Sequence, residues 1–320
     1  MNYIRGSHGP EVVKIQAELQ KLGWYRGPLD GDFGGGTESA VKSFQSSKGL
    51  SVDGIVGPDT WRVLFAGEEI ASPSIALESI EKRCLALTGS FETNAGIPDC
   101  FAGLSGDFDG QGLSFGVLQW NLGQGSLQPL LAEMDREYPS VMQQVFHENY
   151  PVLKAVLEST LSEQLEWARS IQDPVRSTVR EPWRGLFKTL GRIDEFQNIE
   201  VQHSQELHRQ ALQLCLDYGL QSERAAALMF DIKVQNGSIS RIVKEQILQD
   251  FKSLSGADDP ANAEVARMRI IANRRAEAAN PRWVEDVRAR KLTIAEGIGV
   301  VHGNHYDLAA QYGIRMQPAS

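Results

Sequence analysis

Two acidic side chains, Glu92 and Asp109, stand seventeen residues apart in a stretch otherwise rich in turn-forming residues. Glu92 closes Ser90-Phe91-Glu92, and Asp109 opens Asp109-Gly110-Gln111-Gly112-Leu113-Ser114-Phe115-Gly116. A carboxyl on each side of one glycosidic bond is the usual equipment of glycoside hydrolysis: one protonates the leaving oxygen and the other activates a water or attacks directly. Glu92 suits the acid. It falls near the expected C-terminal end of a helix, whose field disfavours negative charge, and it follows apolar Phe91; both effects raise a carboxyl pKa. Asp109 suits the base, with Asp107 as a second candidate. The Ser114 hydroxyl can orient the attacking water. Gln119-Trp120-Asn121 come next; amides and an indole N–H hydrogen-bond sugar hydroxyls, and the ring stacks on a pyranose face. Gln119, Trp120, Asn121 and Asp107 are therefore the expected substrate-binding residues. A water-activating base implies carboxyls ~6.5–9.5 Å apart, whereas ~5 Å marks a covalent route.

The elements that must position these residues are mainly helices. Leu77, Ile80, Cys84 and Leu87 step by three and four, which predicts one buried helix face over 75–88 with Gly89 as its stop. Further helices are predicted over 127–147, 150–172, 201–217, 222–235, 239–253 and 262–279. Strand patterns are few. The Gly-rich stretch from Phe91 to Gly125 is the notable non-helical segment, and it carries the candidate site.

The first 66 residues read as a separate unit. Val12, Ile15, Leu19 and Leu22 mark one amphipathic helix, Ala40, Val41 and Phe44 a second, and Trp61, Val63, Leu64 and Phe65 a third. Asp30-Gly31-Asp32-Phe33-Gly34 recurs 23 residues on as Asp53-Gly54-Ile55-Val56-Gly57. Each copy turns the chain into a helix, with Thr37 and Asp59 or Thr60 expected near the N-caps. Trp24 and Trp61 are expected to pack in the core or at turns, or to line a groove. VVKIQAELQKLGWY, LDGDFGGGTESAVKSFQ and LSVDGIVGPDTWRVL closely resemble the three-helix peptidoglycan-binding module of bacterial and phage cell-wall enzymes. The resemblance implies that residues 1–66 bind the wall polymer without cutting it. Residues 67–74 read as a linker, leaving 75–320 as the catalytic domain. The module carries 7 basic and 7 acidic residues, so the whole net charge of −9 lies beyond it.

Glu92 after a helix, followed by DGQGLSFG from Asp109, resembles the lysozyme superfamily and most nearly its family-46 chitosanase branch. That resemblance implies a two-lobed, lysozyme-like helical domain with Glu92 as acid, Asp109 as base and Ser114 holding the water. ALMFDIKVQNG, RRAEAANPRW, DVRARKL and VHGNHYDL are similar to later segments of the family, in which an aspartate is tied to arginines in the interior. The resemblance implies that Asp231 pairs with arginines of the cluster Arg274, Arg275, Arg288 and Arg290; the alternative is that these four form a solvated helix face. Ser126 stands where the chitosanases carry the aspartate that reads a glucosamine ammonium. VLQWN resembles the Gly-Leu-x-Gln segment of goose-type lysozymes and lytic transglycosylases. With the module, these departures favour a muramidase that cuts the β-1,4 bond from N-acetylmuramic acid to N-acetylglucosamine. The alternatives are a chitosanase-type hydrolase, a lytic transglycosylase, or a wall-binding protein with an inactive domain.

Other classes fare worse. An acidic chain is poorly suited to gripping nucleic acid or an anionic bilayer. No run of about 18 apolar residues predicts a membrane span. The first residues, MNYIRGSHGPEVVK, hold no signal-peptide core, so synthesis in the cytoplasm and delivery to the wall by other machinery are expected. Cys84, Cys100 and Cys215 are too few and too scattered for a disulfide framework, although a Cys84–Cys100 bridge stays open. The six histidines form no HExxH; His302 and His305 make only an HxxH pair. No metal or organic cofactor is implied.

Overall fold

The computed structural model describes residues 2–108, 110–254 and 259–319. It is mainly helical. Three helices, α1 (Pro10–Lys21), α2 (Gly35–Lys48) and α3 (Pro58–Leu64), form the N-terminal module. Next come α4 (Ile80–Thr93) and three two-residue strands, β1 (Leu104–Ser105), β2 (Ser114–Phe115) and β3 (Trp120–Asn121). Five helices follow: α5 (Leu127–Glu137), α6 (Pro139–Phe146), α7 (Tyr150–Glu158), α8 (Leu161–Ser170) and α9 (Trp183–Gly191). The chain continues through α10 (Asp194–Asp217), α11 (Glu223–Asn236), α12 (Arg241–Lys252), α13 (Pro260–Glu277) and α14 (Val284–Glu296). It ends with a hairpin, β4 (Ile298–Val301) and β5 (Asn304–Asp307), and the short α15 (Leu308–Gln311). Two compact units result, Met1–Phe91 with Leu207–Ser320, and Glu92–Glu206.

In the module, Val12, Ile15, Leu19, Phe33, Val41, Phe44, Val56 and Trp61 form the core. The repeated turns are built around two buried glutamines. The Gln16 carboxamide oxygen accepts the Gly31 N–H at 2.9 Å; its amino group faces Asp30 Oδ1 at 2.8 Å, the Asp32 carbonyl at 2.9 Å and Thr37 Oγ1 at 3.2 Å. Gln45 repeats the pattern with the Gly54 N–H at 2.9 Å, Asp53 Oδ1 at 2.8 Å, the Ile55 carbonyl at 2.9 Å and Thr60 Oγ1 at 3.1 Å. Gly31 and Gly54 take φ +73° and +79°, the left-handed region that a turn facing its glutamine requires. Thr37 and Thr60 are thus buried partners of the glutamines, and the caps themselves fall on Gly34 and Gly57. Residues 67–74 lie along the module: Lys14 pairs with Glu68 at 2.6 Å, Tyr3 Oη donates to the Ala71 carbonyl at 2.6 Å, and the Ser74 N–H reaches Glu11 at 3.2 Å.

Several boundaries differ from the sequence reading. The helix over 75–88 begins later and ends later. The Ser79 hydroxyl accepts the Lys82 N–H at the start of α4, leaving Leu77 outside the helix and 83% exposed. Gly89 is carried inside α4, whose last turn holds Glu92; a packed glycine costs only about 1 kcal/mol in a helix and does not stop one. The stretch 127–147 is two helices, because Tyr138 precedes a proline and cannot stay helical. The stretch 150–172 divides at Thr160, which forms a capping box with Glu163. Helices α9 and α14 have no counterpart in the sequence reading.

In the unit that holds the C-terminal helices, Asp231 is fully buried. Its Oδ1 accepts from Arg290 Nε at 2.8 Å and Nη2 at 2.5 Å and from Thr88 Oγ1 at 3.3 Å, and its Oδ2 pairs with Lys291. Burial alone would push Asp231 up; the two cations outweigh it and hold the carboxyl below its usual range. Of the arginines expected there, Arg290 arrives. Arg274 instead pairs with Asp250 and Glu277, and Arg288 with Asn273 and Glu285. Arg83 grips Glu223 in a fork at 2.6 and 3.2 Å, and Glu223 also accepts the Arg315 N–H at 3.0 Å.

The repeated glutamine turn gives a direct test. Gln45→Leu leaves the buried Gly54 N–H and the partly buried Ile55 carbonyl without their partner, at a cost of about 3 kcal/mol. Hydrogen exchange over residues 53–60 should then speed up by about a hundredfold, with α11 and α14 unaffected.

Candidate active site

The unit Glu92–Glu206 contains the whole motif-bearing stretch. Its sheet pairs Leu104 with Phe115 and Ser105 with Ser114, then Ser114 with Asn121 and Phe115 with Trp120, all antiparallel. Period-two alternation explains the placement: Phe115 points into a core where it meets Phe187 at 5.1 Å and Phe196 at 5.3 Å, which turns Ser114 to the other face.

Glu92 is exposed in the last turn of α4. Its neighbour Thr93 closes on the sheet at Gly103. A Cβ on Gly103 would stand 3.0 Å from Thr93 Cγ2, 2.6 Å from Gln119 Nε2 and 3.1 Å from the Gly116 carbonyl, so the three segments meet only because residue 103 has no side chain. Asp109 lies outside the described residues. Beside it, Phe108 is 74% exposed. Asp107 is held away from solvent: its N–H donates to Gln172 Oε1 at 2.7 Å, its Oδ2 stands 3.5 Å from Arg169 Nε, and its Oδ1 is buried without a hydrogen-bond partner among the described residues.

The polar residues of β2 and β3 are largely committed to one another. Ser114 Oγ accepts from Asn121 Nδ2 at 3.0 Å, which leaves its own proton to donate. Asn121 is buried; its Oδ1 accepts the Gln124 N–H at 3.0 Å and its N–H donates to Ser126 Oγ at 2.8 Å. Ser126 is thereby locked into the loop. Gln119, at φ +55°, accepts from Ser105 Oγ at 2.7 Å and donates to the Gly116 carbonyl at 2.9 Å. Trp120 is half-buried against the core. Ser114 and Trp120 therefore retain groups for a ligand, whereas Asn121 acts mainly as a strut for Ser114.

One residue under this site escaped the sequence reading. Glu200, on α10, is fully buried, and its Oε1 accepts the Val117 N–H at 2.8 Å. Its Oε2 has no hydrogen-bond partner among the described residues. Burial pushes its carboxyl well above the usual range, opposed only by the Val117 N–H. The available signal was an acid one helical turn past Phe196, on the apolar face of its helix.

Elsewhere, Cys84, Cys100 and Cys215 are free and buried, and burial raises their pKa values, that of Cys215 to about 12. His302 pairs with Asp286 at 2.6 Å and His203 with Glu133 at 2.7 Å. No cluster of three metal-ligating side chains occurs among the described residues. The module presents a groove of about 530 Å³ lined by residues that include Trp24, Arg26, Asp30, Asp32 and Ser39. Trp24 is 39% exposed at that groove, while Trp61 is fully buried against Tyr3 and Phe65.

Residues 8–64 match the family described as "Putative peptidoglycan binding domain". An N-acetylmuramoyl-L-alanine amidase of Mycobacterium tuberculosis is 48% identical over 58 residues, 18% of this chain and 14% of that protein. A spore cortex-lytic enzyme of Bacillus subtilis is 49% identical over 62 residues, 19% of this chain and 20% of that protein. The chain thus spans about a fifth or less of these relatives, and the shared part is the length of the module. Among solved structures, a chitosanase from Bacillus subtilis MY002 aligns at 15% identity and a TM-score of 0.43, covering 72% of this chain and 96% of that one.

The raised Glu200 pKa makes a pH prediction. Between about 4.5, the ordinary value, and the higher folded value, the folded protein keeps a proton that the unfolded chain has released. Stability from this group is complete below 4.5 and falls as pH rises through that window. Glu200→Gln, which cannot ionise, should therefore gain in melting temperature over the parent on going from pH 4 to pH 7. An unchanged gap would mean that Glu200 ionises alike in both states.

Proposed function

We propose that the protein is a peptidoglycan hydrolase that cleaves the β-1,4 bond from N-acetylmuramic acid to N-acetylglucosamine. Glu92 protonates the leaving oxygen, Asp109 draws the proton from a water, and Ser114 donates a hydrogen bond that fixes that water. The observation that carries the substrate assignment is the peptidoglycan-binding module over residues 8–64, with Trp24 exposed at its groove. An exposed indole beside hydroxyl and carboxylate groups suits a saccharide with amide and hydroxyl substituents.

The chemistry is supported by three features. Glu92 is exposed at a helix end in the unit that also carries the Ser114 sheet. Ser114 Oγ accepts from Asn121 Nδ2, which holds the hydroxyl in place and leaves its proton available to a water. Ser126 is bound into its loop and brings no anion, so nothing at that position attracts a glucosamine ammonium. Binding through the module raises the local concentration of the catalytic unit on an insoluble polymer.

Mass spectrometry of fragments released from purified sacculi tests the assignment. Reducing N-acetylmuramic acid ends are expected. Anhydro-muramic ends would mean a lytic transglycosylase in which Glu92 works alone, as acid and then as base for the C6 hydroxyl, and cuts confined to peptides would overturn the glycosidase assignment. Glu92→Gln should lower the cleavage rate by about 10²–10⁴-fold with sacculus binding unchanged. Trp24→Ala should do the reverse, weakening sacculus binding while cleavage of soluble glycan fragments persists.

A further inference from the structure

Buried carboxyl groups in folded proteins are ordinarily paired with a cation or fully hydrogen-bonded. Asp231 obeys that rule and Glu200 does not. Among the described residues no Lys or Arg pairs with Glu200; its one donor is a backbone N–H, and that N–H belongs to the turn between β2 and β3. We infer that Glu200 is a positioning residue of the proposed active site, setting the Gly116–Trp120 turn and through it the Gln119 amide and the Trp120 ring. This inference rests on the hydrolase reading for its catalytic consequence, but the geometry stands by itself.

The turn is shaped to the carboxyl. Gly116 has φ +89°, and a Cβ there would come within 2.2 Å of Glu200 Oε1 and 2.9 Å of the Trp120 ring. Glu200 thus lies against the one residue of the turn that has no side chain, with the indole on another side. The Gly116 carbonyl, directly preceding the Val117 N–H that Glu200 holds, is the acceptor for Gln119 Nε2 at 2.9 Å. The Gly116 N–H donates to the Gly103 carbonyl at 2.8 Å, and Gly103 is the point where Thr93, next to Glu92, approaches the sheet. A shift of the Gly116–Val117 peptide would move Gln119 and Trp120 together and loosen the seat of the Glu92 helix end. Burial leaves Oε2 in surroundings that favour the protonated form. Ionisation would place an unpaired charge beneath the turn.

Three variants test this, read by hydrogen exchange, by turnover with sacculus binding as the control, and by the pH profile of activity. Glu200→Gln keeps shape and acceptor and removes the ionisation. Glu200→Leu keeps bulk and removes the acceptor. Gly116→Ala presses on the turn from above. Hydrogen exchange over 116–120, which needs no substrate, should be near the parent's for Gln and at least about tenfold faster for Leu and Ala. Turnover of glycan fragments should stay within about threefold for Gln and fall about a hundredfold for Leu and Ala, chiefly in kcat, with sacculus binding through the module retained. The parent should lose activity on the alkaline side as Glu200 ionises, and Gln should extend that limb upward. If Leu does not fold, the Gln pH profile and the Ala exchange rate still decide. A Gln variant as impaired as Leu, or a Leu variant with protected 116–120 and full kcat, would overturn the inference. If the parent releases no glycan ends at all, the hydrolase reading fails, and the exchange data alone still judge the positioning of the turn.

Discussion

A polar group removed from water must find its hydrogen bonds inside the protein, and four such groups show how this shapes the fold. Gln16 and Gln45 each gather a whole turn of backbone and side-chain partners in the module. Asp231 draws Arg290, Lys291 and Thr88 together from two other helices of its unit. Glu200 is the fourth, and the only one of them whose second oxygen stays unpaired among the described residues. The first three fix where elements go. The fourth sits where the candidate site is built, and incomplete pairing leaves its position responsive to protonation in a way that a saturated group is not.

This constraint also decides which site residues can meet a ligand. An amide that completes a turn is not available to a sugar. Asn121 and Ser126 complete the loop after β3, and Gln119 completes the loop before it. Read as residue types in a row, Gln119, Trp120 and Asn121 look equally suited to substrate. Strand alternation and the needs of the turn separate them, because the segment must satisfy its own backbone before it can offer anything outward.

What was legible in the sequence follows the range of the interactions. The three helices of the module were visible because their apolar stripes and their repeated Asp-Gly turns are local. The glutamines at the centre of those turns were not, since Gln16 lies fourteen residues before Asp30 but Gln45 only eight before Asp53, so the repeat is out of register there. The ends of α4 and the break at Tyr138–Pro139 were misplaced or merged because caps and pre-proline strain act on single residues inside long periodic runs. The pairing of Asp231 with Arg290 came through family resemblance; Lys291 was missed, as its role depends on which face of α14 is buried. Glu200 carried the weakest signal, since an acid on an apolar stripe looks like any interrupted stripe until the Val117 N–H is seen to meet it.

The distribution of charge bears on the proposed binding to the wall. All nine net negative charges fall beyond residue 66, whereas the module is balanced at 7 and 7. A peptidoglycan layer carries peptide carboxylates, so a chain segment of that net charge approaching it alone would be held off over roughly a Debye length, about 8 Å at physiological salt. A neutral module with an exposed indole can make contact through stacking and hydrogen bonds, which salt screens far less than long-range repulsion. With the module seated as proposed, repulsion between the acidic remainder of the chain and the wall opposes tight adsorption. Under the proposed function, a chain held at the polymer by residues 8–64, yet not glued to it by the net charge of the rest, is free to leave one bond and reach the next.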